Sequence, residues 1–204
     1  RHNPEFTMME VYAAYWDYEQ QMQLTENLVS GIARELTGSP VISYQGREVD
    51  MTTPWERAPM DKLVSEKIGR DVSVDTDRDE LVALCEEHGV EVEDSYGTGK
   101  LLLELYEKLV EGELWGPVFV TEYPKEVSPL ARSHRSRPGY TERFEGIVAG
   151  SEICNGFSEL NDPKEQYYRF KDQERASEHD EEAMPMDYDY VRALKYGLPP
   201  TAGL

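Results

Sequence analysis

Three groups of residues have the types and spacing to do chemistry. The first is Arg1-His2-Asn3-Pro4-Glu5-Phe6-Thr7-Met8-Met9-Glu10. Arginine and histidine suit phosphate oxygens, because a guanidinium offers a planar fork of donors and a permanent charge. Phe6 has a face on which a nucleobase could stack, an interaction of roughly 1–3 kcal/mol. A strand is expected from Pro4 to Tyr12, and its period of two would turn Phe6, Met8, Glu10 and Tyr12 to one side. A surface loop with a core phenylalanine satisfies the same spacing.

The second group is Glu145 with Glu152. If Ala149-Gly150 is a two-residue turn, Ile147 faces Glu152, and Glu145 becomes a diagonal neighbour of Glu152 at about 7–8 Å between backbones. Two carboxylates at that distance repel by about 2.4 kcal/mol at an effective dielectric of ~20. A divalent cation turns that repulsion into binding, and hard oxygens completed by phosphates are the Mg²⁺ arrangement. Two solvated carboxylates in an acid-rich chain are the plainer alternative. The third group is Asn155, Phe157 and Glu159, which alternate and so share a strand face able to receive a cationic group. An ordinary edge strand has the same pattern. Glu152 has the opposite parity, so all four line one site only if the strand carries a bulge near Ile153-Cys154.

These residues need a scaffold, and the chain can supply one. It has 204 residues, 39% hydrophobic, with 13 Tyr, 5 Phe and 3 Trp, enough for one sizeable domain or two small ones. Its 41 acidic against 21 basic side chains give a net charge of −20, which excludes a generic binder of phosphate backbones. Such a surface repels itself unless salt screens it, which suits a salt-adapted source. No run of 18 apolar residues is present. The polar first residues lack a signal-peptide core, so a cytoplasmic setting without a membrane partner is expected. Cys85 and Cys154 make no disulfide framework and read as packed residues. There is no CxxC, HExxH, GxSxG or Walker loop. Gly97-Thr98-Gly99-Lys100 lacks phosphate-loop spacing and reads as a helix start.

A helix is expected from about Trp16 to Leu36, with Met22, Leu24, Leu28, Val29, Ile32, Ala33 and Leu36 on its core side and Gly38 as its stop. Val41–Tyr44 and Arg47–Thr52 read as a hairpin. Three short helices follow, Met60–Ile68, Asp77–His88 and Thr98–Leu109, with Asp77 and Thr98 as N-caps and Gly89 as a C-cap. Strands are expected over Val118–Tyr123, Arg143–Val148 and Ser151–Glu159. Asn161 should cap a helix with Pro163 in its first turn, running to about Ser177. Glu178–Glu182 read as a solvated loop, and a last helix should span Asp187–Tyr196. The chain divides into 1–58, a helical insert 59–115, and 116–204.

Four separated blocks carry a resemblance. RHNPEFTMMEVY (1–12) resembles the second class-defining motif of the class II lysyl-tRNA synthetases, entered halfway. TEYPKEVSPLAR (121–132), RFEGIVAGSEICNGFSELNDP (143–163) and GLPPTAGL (197–204) resemble the same family in the same order. The resemblance implies an α+β domain: an antiparallel sheet of six or seven strands flanked by helices, normally dimeric, carrying ATP and lysine. It implies that Arg1 and His2 contact the ATP phosphates, Asn3 the nucleotide and Phe6 the adenine. Glu10 would take the substrate α-amine and Tyr12 would line the lysine pocket. Glu145 and Glu152 would hold Mg²⁺, and Arg1 would act with them in catalysis. Asn155, Phe157 and Glu159 would shape the amino-acid site, with Glu159 pairing the ε-ammonium. The implied reaction is attack of the lysine carboxylate on the α-phosphate of ATP, then transfer of lysine to tRNA(Lys).

The family's first motif, the upstream half of its second motif, its third motif and its anticodon-binding barrel have no counterpart here. An internal fragment of a homodimeric enzyme is therefore expected, with little adenylation from these 204 residues alone. The ligase that attaches a lysine-type residue to elongation factor P shares HNPEFT-like and NGF-like blocks. The TEYPKEVSPLA and ELNDP blocks favour the synthetase. A non-catalytic paralogue that binds lysine or nucleotide is the alternative of a different class.

Overall fold

The computed structural model describes residues 4–176 and 186–204. Arg1, His2, Asn3, the expected helix end at Ser177 and the expected loop Glu178–Glu182 lie outside the described residues.

Local signals set most of the helices. α1 (Tyr18–Thr37) begins at a capping box in which the Asp17 side chain accepts from the Glu19 N–H and the Gln20 side chain accepts from the Asp17 N–H. It stops at Gly38, whose φ of 78° is the left-handed cap. α2 (Met60–Ile68), α3 (Arg78–Glu87) and α4 (Thr98–Leu109) occupy the expected spans, α3 being capped by Asp77. Thr98 is not the cap of α4: it is the first helical residue, and Gly97 is the cap. α5 (Pro163–Ala176) starts from Asp162, whose carboxylate takes the Lys164 and Glu165 N–H groups. Asn161, expected there, donates instead to the Leu198 carbonyl. α6 is Tyr188–Leu194.

β2 (Val41–Tyr44) and β3 (Arg47–Asp50) form a separate hairpin about Gln45-Gly46. Among the described residues the main sheet has six strands in the order β1-β8-β7-β6-β5-β4: β1 is Tyr12–Ala14, β4 Glu56–Pro59, β5 Val118–Thr121, β6 Arg143–Val148, β7 Ser151–Ser158 and β8 Thr201–Gly203. It is mixed rather than antiparallel, because β4 and β5 run parallel while the other neighbours are antiparallel. A parallel pair needs a long crossover, and α2, α3 and α4 lie between its two strands. β4 escaped the sequence reading because Glu56-Arg57-Ala58-Pro59 shows no alternation and ends in proline. The strand expected from Pro4 is also shorter. Val11 exchanges backbone hydrogen bonds with Leu204, β1 starts at Tyr12, and no residue from Pro4 to Glu10 joins a ladder.

Alternation along β5 and β6 divides the core into two layers. Val118, Val120 and Ile147 pack with α2, α3 and α4, while Phe119 and Phe144 point the other way, toward Trp55 and α1. α1 corrects a second expectation. Its covered side carries Gln21, Met22, Thr25, Glu26 and Ser30, whereas Leu28, Ile32 and Leu36 are exposed. Among the described residues no helix is long and apolar enough to cross a membrane.

Candidate functional site

Strand register gathers the candidate residues. Tyr12 stands opposite Gly203, Gly203 opposite Phe157, and Phe157 opposite Arg143, a row crossing four strands. Directly opposed residues share a face. In the next row Asn155 opposes Glu145, and beyond it Glu152 opposes Ile147. The register jumps from Gly146–Cys154 to Ile147–Glu152, leaving Ile153 as the extra residue. This bulge, at the place the parity argument required, turns Glu152 to the face of Glu145, Asn155 and Phe157. The turn that joins the strands is Ala149-Gly150, with φ of 53° and 71°.

One end of this face suits a cation. Tyr12 Oη donates to Glu10 at 3.4 Å. The Glu159 carboxylate reaches over Gly203, where a Cβ would lie 2.5 Å from Glu159 Oε1 and 2.8 Å from Tyr12 Cε1. Glycine is therefore the only residue that lets Tyr12 and Glu159 meet there. Burial raises the Glu159 carboxyl to about 7, since a charged form loses hydration without gaining a partner. Burial, then Glu10 and Glu159, raise the Tyr12 phenol, which stays protonated. Tyr190 of α6 also feels burial and then Glu159.

The other end suits a hard cation. Glu145 is buried at 8% exposure, and its Oε1 accepts from Arg143 Nη2 at 2.6 Å. Burial, then Glu145, raise the Glu152 carboxyl; Arg143 opposes this and Glu111 adds to it. Glu111 is itself raised by burial and then by Glu145. Three carboxylates thus crowd a face with one guanidinium among them. Among the described residues no group of three or more His, Cys, Asp or Glu could hold a metal by protein ligands alone. The hard carboxylate oxygens of Glu145 and Glu152 are of the type Mg²⁺ takes, one or two carboxylates with substrate phosphates completing the shell.

Phe6 is 72% exposed. Arg1, His2 and Asn3 lie outside the described residues, so the phosphate-binding expectation has no geometry to meet. Sequence reasoning missed Arg143, Glu111 and Gly203. Arg143 was within reach, because its separation of two from Glu145 puts it on the same strand face. Glu111 carries no local signal. It arrives because the Ala149-Gly150 turn docks on the segment before β5, Gly150 N–H donating to the Leu114 carbonyl at 2.7 Å.

Comparison with known proteins gives the family. A family model described as "tRNA synthetases class II (D, K and N)" matches residues 1–204. A protein named "Lysine--tRNA ligase" from Xanthomonas oryzae pv. oryzae is 48% identical over 206 residues, covering 100% of this chain and 41% of the relative. One of the same name from Thermotoga maritima is 49% identical over 205 residues, covering 100% of this chain and 40% of the relative. A third, from Synechococcus sp. (strain CC9605), is 48% identical, covering 100% and 41%. The chain thus spans about two fifths of the length of the curated relatives it matches. By the match of that family model along residues 1–204, the chain belongs to the class II tRNA synthetases (D, K and N).

Proposed function

We propose that this chain forms part of the catalytic domain of a lysine–tRNA ligase, which joins lysine to ATP as lysyl-adenylate and then to tRNA(Lys). The observation that carries this reading is the pair of carboxylates, Glu10 and Glu159, flanking Tyr12 with no cation among the described residues paired to Glu159. Members of the family act on D, K or N. An aspartate side chain would be repelled there, and an asparagine side chain would leave the carboxylates uncompensated. Lysine brings two ammonium groups, and hydrogen bonds to charged groups contribute about 1.5–3 kcal/mol each. Glu159 takes the ε-ammonium and Glu10 the α-amine, while Tyr12, Asn155 and Phe157 shape the cavity between them.

Glu145 and Glu152 are the groups that would hold Mg²⁺, which when bound neutralises triphosphate charge. The protein supplies no nucleophile: the lysine carboxylate attacks the α-phosphate in line, the α–β phosphoanhydride bond breaks and pyrophosphate leaves, and the chain's work is placement and charge stabilisation. Arg1, His2, Asn3 and Phe6 bind the nucleotide by their match to the family motif. Residues 1–58 and 116–204 form the catalytic core and 59–115 a helical module, in a cytoplasmic homodimer.

Amino-acid-dependent ATP–pyrophosphate exchange by the complete protein that carries this chain tests the reading. Exchange should require lysine, and Glu145→Gln should lower it by about 10²-fold or more. Exchange driven by aspartate or asparagine in preference to lysine would overturn it.

A further inference from the structure

We propose that Glu126 and Arg143 are positioning residues that fix Glu145 and Asn155, with the Gly97–Lys100 turn of the helical region as the anchor. The inference rests on the reading of Glu145 and Asn155 as ligand-site residues, and it adds what holds them in place.

The Gly97-Thr98-Gly99-Lys100 segment begins α4, and the start of a helix leaves backbone N–H groups without intrahelical partners. Thr98 does not satisfy them, because its hydroxyl donates to the Val74 carbonyl at 2.8 Å. The Glu126 carboxylate does. Its Oε1 accepts from Gly97 N–H at 2.9 Å, and its Oε2 accepts from Gly99 N–H at 2.9 Å and Lys100 N–H at 3.3 Å. The positive end of the helix dipole favours that negative charge. Both glycines are needed: a Cβ on Gly97 would lie 2.6 Å from the Glu126 carboxylate oxygens, and one on Gly99 2.9 Å from Oε2. A turn shaped like an anion receptor is filled by the protein's own carboxylate.

Glu126 sits in the single helical turn Lys125–Val127. The next groups along the chain, the Val127 carbonyl and Ser128 Oγ, both accept from Arg143 Nη1 at 3.0 Å. Arg143 turns its remaining donors to the site: Nε reaches Asn155 Oδ1 at 3.1 Å, and Nη2 reaches Glu145 Oε1 at 2.6 Å. Its guanidinium carbon lies 4.5 Å from the Tyr123 ring centroid, which fixes the plane of the fork. The chain of contacts runs from the α4 N-terminus through Glu126 and the Val127–Ser128 backbone to Arg143, and from Arg143 to a metal-side carboxylate and an amino-acid-side amide. Lysine at position 143 would have the charge without the planar fork needed to serve all these acceptors. Without the fork, repulsion from Glu152 and Glu111 is free to displace Glu145.

The test uses the complete protein. Mn²⁺ is titrated in the presence of a non-hydrolysable ATP analogue and followed by electron paramagnetic resonance, with the KM for lysine in pyrophosphate exchange measured alongside. Glu126→Ala should raise both the Mn²⁺ midpoint and the lysine KM at least threefold. Arg143→Lys should raise each about tenfold. Glu126→Gln keeps one acceptor oxygen, is the gentler change to the fold, and should fall between wild type and Glu126→Ala. Val64→Ala, in the core of α2, destabilises the same helical region without touching the chain of contacts and should leave both readouts within twofold of wild type. If the Glu126 variants move the two readouts no more than Val64→Ala does, the proposal is overturned while the site reading stands. If Glu145→Gln leaves the Mn²⁺ midpoint unchanged, the metal-side reading itself fails and takes this inference with it.

Discussion

Glu159 makes a prediction that can be worked from the structure. Its carboxyl stands at about 7 in the free protein because it is half-buried and no cation among the described residues pairs with it. An ordinary glutamate lies near ~4.3. Between those values the free protein holds a proton that an arriving ε-ammonium must displace, since the ion pair forms only with the carboxylate. At pH 6 the free site is about 90% protonated, so each lysine bound should release about 0.9 proton. At pH 8.5 the site is already ionised and the release should fall to about 0.03 proton. The same equilibrium weakens lysine binding about tenfold at pH 6 relative to pH 8.5. The sign for folding is the opposite. The folded pKa is raised, so the contribution of Glu159 to stability is whole below the unfolded value and is lost as pH climbs through about 7.

Calorimetric titration of lysine into the complete protein, repeated in buffers of different ionisation enthalpy, counts the protons directly. Glu159→Gln serves as the control. Its residual binding should release less than about 0.2 proton at pH 6, with the tenfold pH dependence gone. Glu152 is also raised, by burial first and then by Glu145, so the difference between wild type and Glu159→Gln isolates the Glu159 share. A proton count near zero at both pH values, or one that grows with pH, would refute the assignment of the ε-ammonium to this carboxylate.

Two further substitutions probe how the site is built. Gly203→Ala places a Cβ against Glu159 Oε1 and the Tyr12 ring, so the KM for lysine should rise about tenfold while the melting temperature changes little; an unchanged KM would show that the close approach is not needed. Ala149 holds a φ of 53° in the β6–β7 turn, a conformation asparagine tolerates better than alanine. Ala149→Asn should therefore stabilise the protein by about 0.5–1 kcal/mol in denaturant unfolding, and equal or lower stability would contradict the turn assignment.

The parts of the fold legible in the sequence were those fixed by local chemistry. Gly38, Asp77 and the alternation of Asn155 and Phe157 in β7 each act within a few residues, and each element stands where those signals put it. The bulge at Ile153 was legible for another reason. Glu152 and Asn155 have opposite parity, and only an inserted residue lets both face one ligand. β4 and β8 were not legible, since each exists by virtue of a neighbour: Glu56–Pro59 is a strand because β5 lies beside it, and Thr201–Gly203 because β1 and β7 do. The helix crossover that makes the β4–β5 pair parallel was in plain view, but it set a direction only once β4 was known.

α1 shows where periodicity misleads. An apolar stripe marks the side of a helix with most to gain from burial, on the assumption that the surface below is apolar too. Here only part of that surface is apolar, and the rest is backbone with groups to satisfy. Gln21 Nε2 donates to the Ala202 carbonyl at 2.7 Å and to the Val11 carbonyl at 3.2 Å, tying β8 to the segment leading into β1. Glu26 Oε2 accepts from Trp55 N–H at 2.7 Å, and the Glu26 carboxylate also meets Arg57 at the start of the parallel pair. Leaving such buried polar groups unpaired costs about 1–3 kcal/mol apiece, as much as burying a leucine contributes. The helix therefore turns its hydrogen-bonding side inward and leaves Leu28, Ile32 and Leu36 outside. In doing so it clamps the strands that carry Tyr12 and Gly203, so the polar side of α1 belongs to the construction of the Tyr12–Glu159 end of the candidate site as much as to the core.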